Sequence, residues 1–248
     1  MQCKNAALRS CSRSFRELAE RYATTYPALG LVGNTPLVRV DLFADEFPDV
    51  EVYAKVESFN SGGSLKDRPA LYMLLSALED GRLDASKTIM DSSSGNAGIA
   101  YAWIGQVLGV PVKLVIPDNA SAEREKRMRA HGAESHHTSA HDGYDEALRE
   151  VRRLADADPD GTFFCDQCGN DLNWRAHYET TAEESWEQTS GRVTHFVCGV
   201  ATGGTLTGTS KRLKELNPAI QTERCVPDSS PGVEGLKPLG RPRPGALG

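Results

Sequence analysis

The sequence KTIMDSSSGNAGIAYAWIGQVLGVPVKLVI, residues 87–116, decides the fold class of this chain. Its first residues, 87–90, predict a short β-strand, and residues 112–116 predict a second, buried strand. Between them, residues 97–108 have the apolar spacing of a helix. A strand, a helix and a strand in this order form the unit from which parallel sheets are built. The stretch therefore predicts an α/β protein.

The same alternation continues on both sides of this unit. Upstream, a strand over residues 51–56 precedes a helix over 68–79 that Gly81 ends. Downstream, the pattern predicts helices over 122–130, 144–157, 174–188 and 206–216, and strands over 162–165, 193–198 and 221–226. Residues 238–248 are rich in Pro and Gly and predict a flexible tail.

The composition narrows the classes of function. Of the 248 residues, 28 are Lys or Arg and 34 are Asp or Glu, and the net charge of −6 disfavours nucleic acid and anionic membrane surfaces as partners. The longest apolar stretch, residues 99–116, is interrupted by polar residues and glycines, so we expect no membrane span.

The N-terminus and the cysteines bear on the compartment. Because no apolar secretion signal is present, we expect the six cysteines to be thiols and the protein to be cytoplasmic. Four basic residues precede the first acid, Glu17, which leaves an organellar transit peptide as the alternative. The preferred interpretation of residues 1–26 is a frayed amphipathic extension.

A glycine-rich turn, GVATGGTLTG at residues 199–208, joins a predicted strand to a predicted helix. Glycines let the backbone approach an anion, and the N–H groups at the start of the helix favour negative charge. The turn matches neither the Walker motif nor the dinucleotide fingerprint. It predicts an anion cradle, with a purely structural tight turn as the alternative.

A second polar loop, DSSSGNAG at residues 91–98, lies where a strand meets a helix. In parallel sheets, ligands bind beyond the carboxyl ends of the strands. Hydroxyls and helix-terminal N–H groups suit a carboxylate. Helix capping explains one or two of the serines but not the whole loop.

The segment NSGGSLKDRP, residues 60–69, places Lys66 at the start of a helix. The positive end of the helix dipole destabilises an ammonium there, which predicts a lowered pKa and an available amine. A neutral lysine is the nucleophile that attacks carbonyl groups. The alternative is a solvated surface lysine.

These segments together resemble the pyridoxal-phosphate enzymes of the cysteine synthase and cystathionine β-synthase group, which have fold type II. The resemblance covers about residues 30–240 and rests on motifs that occur in the family's order: GNTPLV at 33–38, GGSLKDR at 62–68, SSGNAG at 93–98, DQ at 166–167, HYETT at 177–181 and the glycine-rich turn. It implies the tryptophan synthase β-subunit-like fold, with two three-layer domains of parallel-rich sheets and the cofactor in the cleft between them.

The resemblance also implies a domain organisation. The N-terminal cofactor and substrate domain spans residues 27–175, and a partial C-terminal domain that binds the cofactor phosphate spans 176–237. Because the family continues beyond this pattern, we expect the fold to be incomplete at its C-terminus and to lack the hydroxyl that binds the pyridine nitrogen. Family members are usually homodimers, which leaves a homodimer open.

Site residues follow from the resemblance, position by position. Lys66 is similar to the catalytic lysine that binds pyridoxal 5'-phosphate covalently and moves the substrate Cα proton. Asn96 matches the partner of the cofactor 3′-oxygen. The residues that match the substrate α-carboxylate site are Ser93, Ser94, Gly95, Asn96 and Gln167. Those that match the phosphate loop are Ala201, Thr202, Gly203, Gly204 and Thr205, where Ala201 replaces the family's usual glycine.

The implied reaction replaces the β-substituent of an O-activated serine, O-acetylserine or O-phosphoserine, with sulfide to form L-cysteine. Two alternatives within the family are a cystathionine β-synthase, which residues 61–64 and 177–184 resemble, and a 2,3-diaminopropionate-forming enzyme, which residues 170–174 resemble. Residues 227–231 and 235–237 resemble bacterial cysteine synthases. An alternative of another class is a truncated, non-catalytic family member.

Two further patterns receive structural interpretations. Cys165 and Cys168 have C-x-x-C spacing, but no second C-x-x-C pair accompanies them, and His136, His137 and His141 would complete a metal site only if the fold brought them near. We therefore expect thiols rather than a metal or redox site. Residues 123–129 form a run of mixed charges at helical spacing, which indicates a solvated helix face.

Overall fold

The computed structural model describes residues 13–141 and 143–226, in which helices and strands alternate. The helices are α1 (Phe15–Ala23), α2 (Asp67–Glu79), α3 (Asn96–Leu108), α4 (Ala122–Ala130), α5 (Gly143–Ala157), α6 (Leu172–Ala176), α7 (Ala182–Gln188) and α8 (Gly204–Leu216). The strands are β1 (Leu37–Arg39), β2 (Tyr53–Lys55), β3 (Thr88–Ser92), β4 (Val112–Pro117), β5 (Glu134–Thr138), β6 (Thr162–Phe164), β7 (His195–Gly199) and β8 (Gln221–Cys225).

The main sheet has four parallel strands in the order β5-β4-β3-β6. Successive side chains of a strand point to opposite faces, and two separate apolar clusters follow from this. Ile89 and Leu114 join the cluster that contains α2 and α3, whereas Met90 and Val115 pack against α5. The sheet therefore has helices on both faces, and the predicted α/β class is confirmed.

Helix α2 lies in the middle of the core. All its residues from Asp67 to Ala77 are buried, and so are those of α3 from Ala97 to Gly105. A helix that is apolar on all sides is buried on all sides. The start of α2, next to Lys66, is thereby fixed relative to the main sheet.

A second, two-stranded parallel sheet pairs β7 with β8. Its apolar cluster contains Ala182 of α7, Leu213 of α8 and Ile220. Strands β1 and β2 form an antiparallel pair. The domain limits at 27–175 and 176–237 stay a prediction.

The N-terminal helix differs from the sequence interpretation. Residues 13–23 do not fray, because Ser14 and Glu17 form a capping box and Phe15 and Leu18 are buried in the main core. The backbone N–H of Phe15 donates to Glu179 Oε2 at 2.6 Å. The described part of the extension is thus a docked helix.

Strand β5 was not predicted. Its sequence, Glu134-Ser135-His136-His137-Thr138, is polar throughout, because β5 is an edge strand that pairs with β4 alone among the described strands. Edge strands carry charged and polar residues that discourage pairing with other chains. Apolar periodicity is therefore a poor signal for such a strand.

The helix predicted over residues 174–188 is present but irregular. A π-helical turn, His177–Thr181, separates α6 from α7, and the N–H of Ala182 donates to the carbonyl of His177. Such π-helical turns occur frequently at functional sites. This one directs the side chain of His177 towards α8, as described below.

Gly208 of α8 allows close packing against this irregular helix. A Cβ atom at position 208 would collide with the carbonyl oxygen of Trp174 and lie 2.8 Å from the backbone nitrogen of Tyr178. We expect Gly208→Ala to lower the free energy of unfolding by about 1–3 kcal/mol in urea denaturation. Thr207→Ala, one residue earlier and exposed, is the control that should change it by less than about 0.5 kcal/mol. Equal effects of the two substitutions would contradict this packing.

In the part of the chain described, no helix is long and apolar enough to cross a membrane. The predicted tail at 238–248, the motifs at 227–231 and 235–237, and residues 1–12 lie outside the described residues.

Candidate active site

Lys66 immediately precedes α2, and its backbone N–H donates to Ser64 Oγ at 3.1 Å. Its side chain is partly buried, and burial lowers the pKa of its ammonium below the ordinary value. The lowered pKa agrees with the expectation from sequence, but loss of hydration rather than the helix dipole is the main cause. An amine that loses its proton readily is the state a nucleophile or base requires.

The glycine-rich turn has the geometry of an anion cradle. Gly203 has a φ of +88° and directly precedes the first turn of α8, where backbone N–H groups lack helical partners. A Cβ atom on Gly204 would collide with the side-chain amide of Asn173. Ala201 is not among the described residues with positive φ, so its methyl group introduces no backbone strain.

His177 connects the phosphate loop to the π-helical turn. Its Nε2 lies 3.2 Å from Thr205 Oγ1, and its Nδ1 lies 3.0 Å from Thr181 Oγ1. Burial, together with the positive charges of Lys66 and Arg68, holds the pKa of His177 well below its ordinary value. Lys66 thus acts electrostatically on the same imidazole that contacts the glycine-rich turn, and we expect the lysine and this turn to share one site.

Asn173 connects the same loop to Gln167. Its Nδ2 donates to the carbonyl of Gln167 at 2.8 Å and to Thr202 Oγ1 at 3.1 Å. Its Oδ1 is buried without a hydrogen-bond partner among the described residues. The sequence reasoning gave neither Asn173 nor His177 a role, although both lie within or beside motifs that it quoted.

The serine-rich loop surrounds the start of α3. Ser93 Oγ accepts from the N–H of Gly98 at 3.0 Å and from that of Gly95 at 3.4 Å, so this hydroxyl caps the helix. Ser94 and Gly95 are partly exposed and Asn96 is exposed. Of the residues of this loop that are predicted to bind the carboxylate, Ser93 is thus buried, whereas Ser94, Gly95 and Asn96 are accessible to solvent.

Arg68 is the most consequential residue that sequence reasoning missed. Its guanidinium is fully buried and makes paired hydrogen bonds with Glu57, at 2.7 and 2.8 Å, and with Glu184 of α7, at 2.5 and 2.8 Å. Lys55 Nζ also lies 2.7 Å from Glu184 Oε2. We call Lys55, Glu57, Arg68 and Glu184 the buried ion cluster.

The buried ion cluster joins distant parts of the chain. Arg68 Nη2 donates to Thr35 Oγ1 at 3.1 Å, and Asn60 Oδ1 accepts from the N–H of Gly33 at 2.8 Å. The two motifs GNTPLV and GGSLKDR therefore meet in space. A signal for Arg68 was available, because a charged residue inside an otherwise buried helix requires a buried partner.

The charge run at 123–129 is mostly exposed, as interpreted, and Arg129 pairs with Glu125 at 2.5 Å. One member also reaches the site: Arg127 Nη2 donates to the carbonyl of Gly62 at 3.1 Å. Helix α4 thus supports the loop that carries Lys66.

The C-x-x-C pair shows no metal-site geometry. Cys165 is buried, and no group of three His, Cys, Asp or Glu side chains within residues 13–141 and 143–226 could hold a metal ion. His136 lies 3.2 Å from Glu150, and His137 lies 3.0 Å from Asp118. These histidines therefore face carboxylates and not the cysteines.

Comparison with known proteins identifies the class. The family model described as "Pyridoxal-phosphate dependent enzyme" matches residues 28–245, and the chain belongs to this family. It is 50% identical to the cysteine synthase of Aquifex aeolicus (strain VF5) over 213 residues, which are 84% of this chain and 65% of that protein.

Two further comparisons agree with this class. Cysteine synthase B of Pseudomonas aeruginosa is 38% identical over 213 residues, 86% of this chain and 70% of the relative. The crystal structure of an O-ureido-L-serine synthase superposes with a TM-score of 0.80 at 37% identity, covering 85% of this chain and 69% of that one. The chain thus spans about two thirds of the length of these relatives.

The residues of this chain fit pyridoxal phosphate, the cofactor of the family. We expect Lys66, whose pKa is lowered by burial, to supply the amine for the aldehyde. Gly203 has a positive φ at the start of α8, and Gly204 packs closely against Asn173, so the backbone N–H groups of the turn are the donors available to a phosphate. Asn173 and His177 hold the threonines of that turn. We expect Thr202, Gly203, Gly204 and Thr205 to receive the phosphate.

Ala201 allows a test of this loop. We expect Ala201→Gly to leave the cofactor dissociation constant unchanged within about twofold, because no positive φ needs relief, and to lower the free energy of unfolding by about 0.4–1 kcal/mol. Gly203→Ala should instead weaken cofactor binding, because a residue with a Cβ atom at a φ of +88° costs about 1–2 kcal/mol of backbone strain. Titration of the apoprotein with pyridoxal phosphate measures the dissociation constants of both variants, and urea denaturation measures the free energy of unfolding. A tenfold gain in cofactor affinity in Ala201→Gly would contradict the loop geometry.

Proposed function

We propose that the chain catalyses β-replacement on an O-activated serine, O-acetylserine or O-phosphoserine, with sulfide as the nucleophile and L-cysteine as the product. The observation that carries the proposal is the electrostatic link of Lys66, whose pKa is lowered, to the imidazole of His177, whose Nε2 lies 3.2 Å from Thr205 Oγ1 of the glycine-rich turn. The 50% identity to a cysteine synthase supports this choice of reaction.

Pyridoxal phosphate, when bound, supplies the electron sink that stabilises negative charge at the substrate Cα. The protein binds and orients the substrate and transfers its protons. The amine of Lys66 accepts the Cα proton, for which a lowered pKa at the nitrogen is favourable. The Cβ–O bond then breaks with loss of acetate or phosphate, hydrosulfide forms the Cβ–S bond, and Lys66 returns the proton to Cα.

The substrate carboxylate needs donors near this amine. We assign that role to the loop of Ser93, Ser94, Gly95 and Asn96 and to Gln167, which is buried. The N-terminus of α3 adds the positive potential that favours a carboxylate. Asn96, the exposed member, is also assigned to the cofactor 3′-oxygen.

The proposal is tested by mixing the cofactor-loaded protein with each serine derivative and sulfide and measuring L-cysteine. Formation of cysteine from O-acetylserine or O-phosphoserine is the expected result and identifies the leaving group. In a parallel assay, homocysteine replaces sulfide. Formation of cystathionine there, without formation of cysteine from sulfide, would establish the cystathionine β-synthase alternative. Cofactor binding without any product would favour the non-catalytic alternative. A homodimer and a cytoplasmic location stay predictions, and light scattering tests the first.

A further inference from the structure

We propose that Asp91, which has no assigned role in the reaction, is a positioning residue that fixes the two loops of the substrate carboxylate site relative to each other. The inference rests on the proposed function, because it concerns the assigned carboxylate site. Asp91 does not itself belong to the groups assigned to contact the substrate. It acts through the backbone of its neighbours.

The carboxylate of Asp91 accepts one hydrogen bond from each loop. Its Oδ1 accepts from the N–H of Ser92 at 2.8 Å, which starts the serine-rich loop. Its Oδ2 accepts from the N–H of Gln167 at 3.2 Å, across 76 positions in sequence. Each carboxylate oxygen therefore holds a different loop, and the distance between the loops is set by one rigid group.

Gln167 is held from both sides. Its N–H donates to Asp91, and its carbonyl accepts from Asn173 Nδ2, which also donates to Thr202 of the phosphate loop. Tyr144 of α5 donates from its hydroxyl to the carbonyl of Ser92 at 3.0 Å. The chain of contacts runs from the serine-rich loop through Asp91 and Gln167 to the phosphate loop.

Burial makes this arrangement sensitive to protonation. Asp91 is 2% exposed, and loss of hydration raises its pKa to about 6 despite the two backbone hydrogen bonds. Tyr101 of α3, Cys165 and Asp166 after β6, and Tyr144 of α5 are the titratable groups around it. Burial raises the pKa of Tyr101 and of Cys165 well above their ordinary values, so neither ionises together with Asp91.

Protonation removes one acceptor from the carboxylate. Above about pH 6, Asp91 is ionised and both oxygens accept a backbone N–H. Below that pH, a hydroxyl faces one of the two N–H donors, and the loops lose a common anchor. Affinity for the amino-acid substrate should therefore fall as the pH is lowered through about 6.

The first measurement needs neither cofactor nor substrate. We expect Asp91→Asn, whose amide nitrogen cannot accept, to speed hydrogen–deuterium exchange about tenfold in peptides that contain Ser92 and Gln167. Ile89→Val, on the same strand and fully buried, is the control for a general loss of stability. Exchange in Asp91→Asn that matches the control would overturn the proposal.

The second measurement uses the cofactor-loaded protein with O-acetyl-L-serine as the probe. In the unmodified protein, KM should rise about tenfold between pH 7.5 and pH 5.5, with a smaller change in kcat. Asp91→Asn should show the high KM at both pH values, and Asp91→Glu should restore part of the pH dependence. A KM that is flat with pH in the unmodified protein would overturn the role of Asp91 even if no variant folds.

The two measurements separate this proposal from the proposed function. Normal turnover with a flat pH profile and unchanged exchange in Asp91→Asn would overturn only the role of Asp91. Absence of any response to O-acetyl-L-serine or O-phospho-L-serine in protein that has bound the cofactor would overturn the proposed function and, with it, the substrate role given to Asp91.

Discussion

Lys66→Ala is expected to abolish covalent binding of pyridoxal phosphate and to lower the rate of cysteine formation by a factor on the order of 10³. The reason is the partly buried position of this amine, its lowered pKa and its electrostatic effect on the imidazole that contacts the glycine-rich turn. The visible absorption of the lysine-bound cofactor and the rate of cysteine formation measure the two effects. Alanine leaves the phosphate loop intact, so some non-covalent cofactor binding should remain.

Lys126→Ala is the matched control for this substitution. Lys126 is exposed on α4, outside the site, and its loss should change neither the absorption nor the rate. If Lys66→Ala keeps the absorption band of the unmodified protein, another amine binds the cofactor and the assignment of Lys66 is wrong.

Arg68→Ala is expected to lower the free energy of unfolding by about 3–5 kcal/mol. The substitution leaves two mostly buried carboxylates, Glu57 and Glu184, without the guanidinium that pairs with both of them. Lys55 Nζ still lies 2.7 Å from Glu184 Oε2, but a single ammonium cannot replace the paired hydrogen bonds that the guanidinium makes with both carboxylates. Urea denaturation at pH 7 measures the loss, and Arg16→Ala, which removes an exposed pair with Glu20, should cost less than about 0.5 kcal/mol.

The pH dependence of stability gives an independent check of the buried ion cluster. Burial alone would raise the pKa of Glu184, but hydrogen bonds and charge from Arg68 and Lys55 outweigh burial and lower it from 4.5 to about 2. Arg68 likewise outweighs burial and lowers the pKa of Glu57. A lowered pKa means that the stabilisation is present above about pH 4.5 and is lost as the pH falls towards about 2. We expect Arg68→Ala to lose this acid-dependent slope; an unchanged slope would show that other groups cause it.

Much of the fold was accessible from the sequence because buried segments carry strong periodic signals. The helices over 97–108 and 122–130 and the strand over 112–116 were predicted within one residue of their observed limits. The α/β class followed from the alternation of strands and helices, and the family followed from the resemblance of motifs such as GGSLKDR and SSGNAG to those of known enzymes.

The rest was not accessible because it depends on contacts between distant segments. The burial of Arg68 requires Glu57 and Glu184, which lie 11 and 116 positions away. Strand β5 has no apolar pattern because it lies at an edge. The docking of Phe15 depends on Tyr72, whose ring centroid is 5.2 Å away. Roles for His177 and Asn173 likewise could be assigned only once the position of the phosphate loop was known, because both act through its threonines.

The π-helical turn at His177–Thr181 makes this part of the chain intolerant of an inserted residue. The turn already accommodates one residue more than an α-helical turn would, and α7 stays in phase with α6 because of it. A further residue inserted after this turn would rotate every side chain of α7 by roughly 100° about the helix axis. Glu184 would then turn away from Arg68, and α7 would lose its ion pair with the start of α2 although no residue had been replaced.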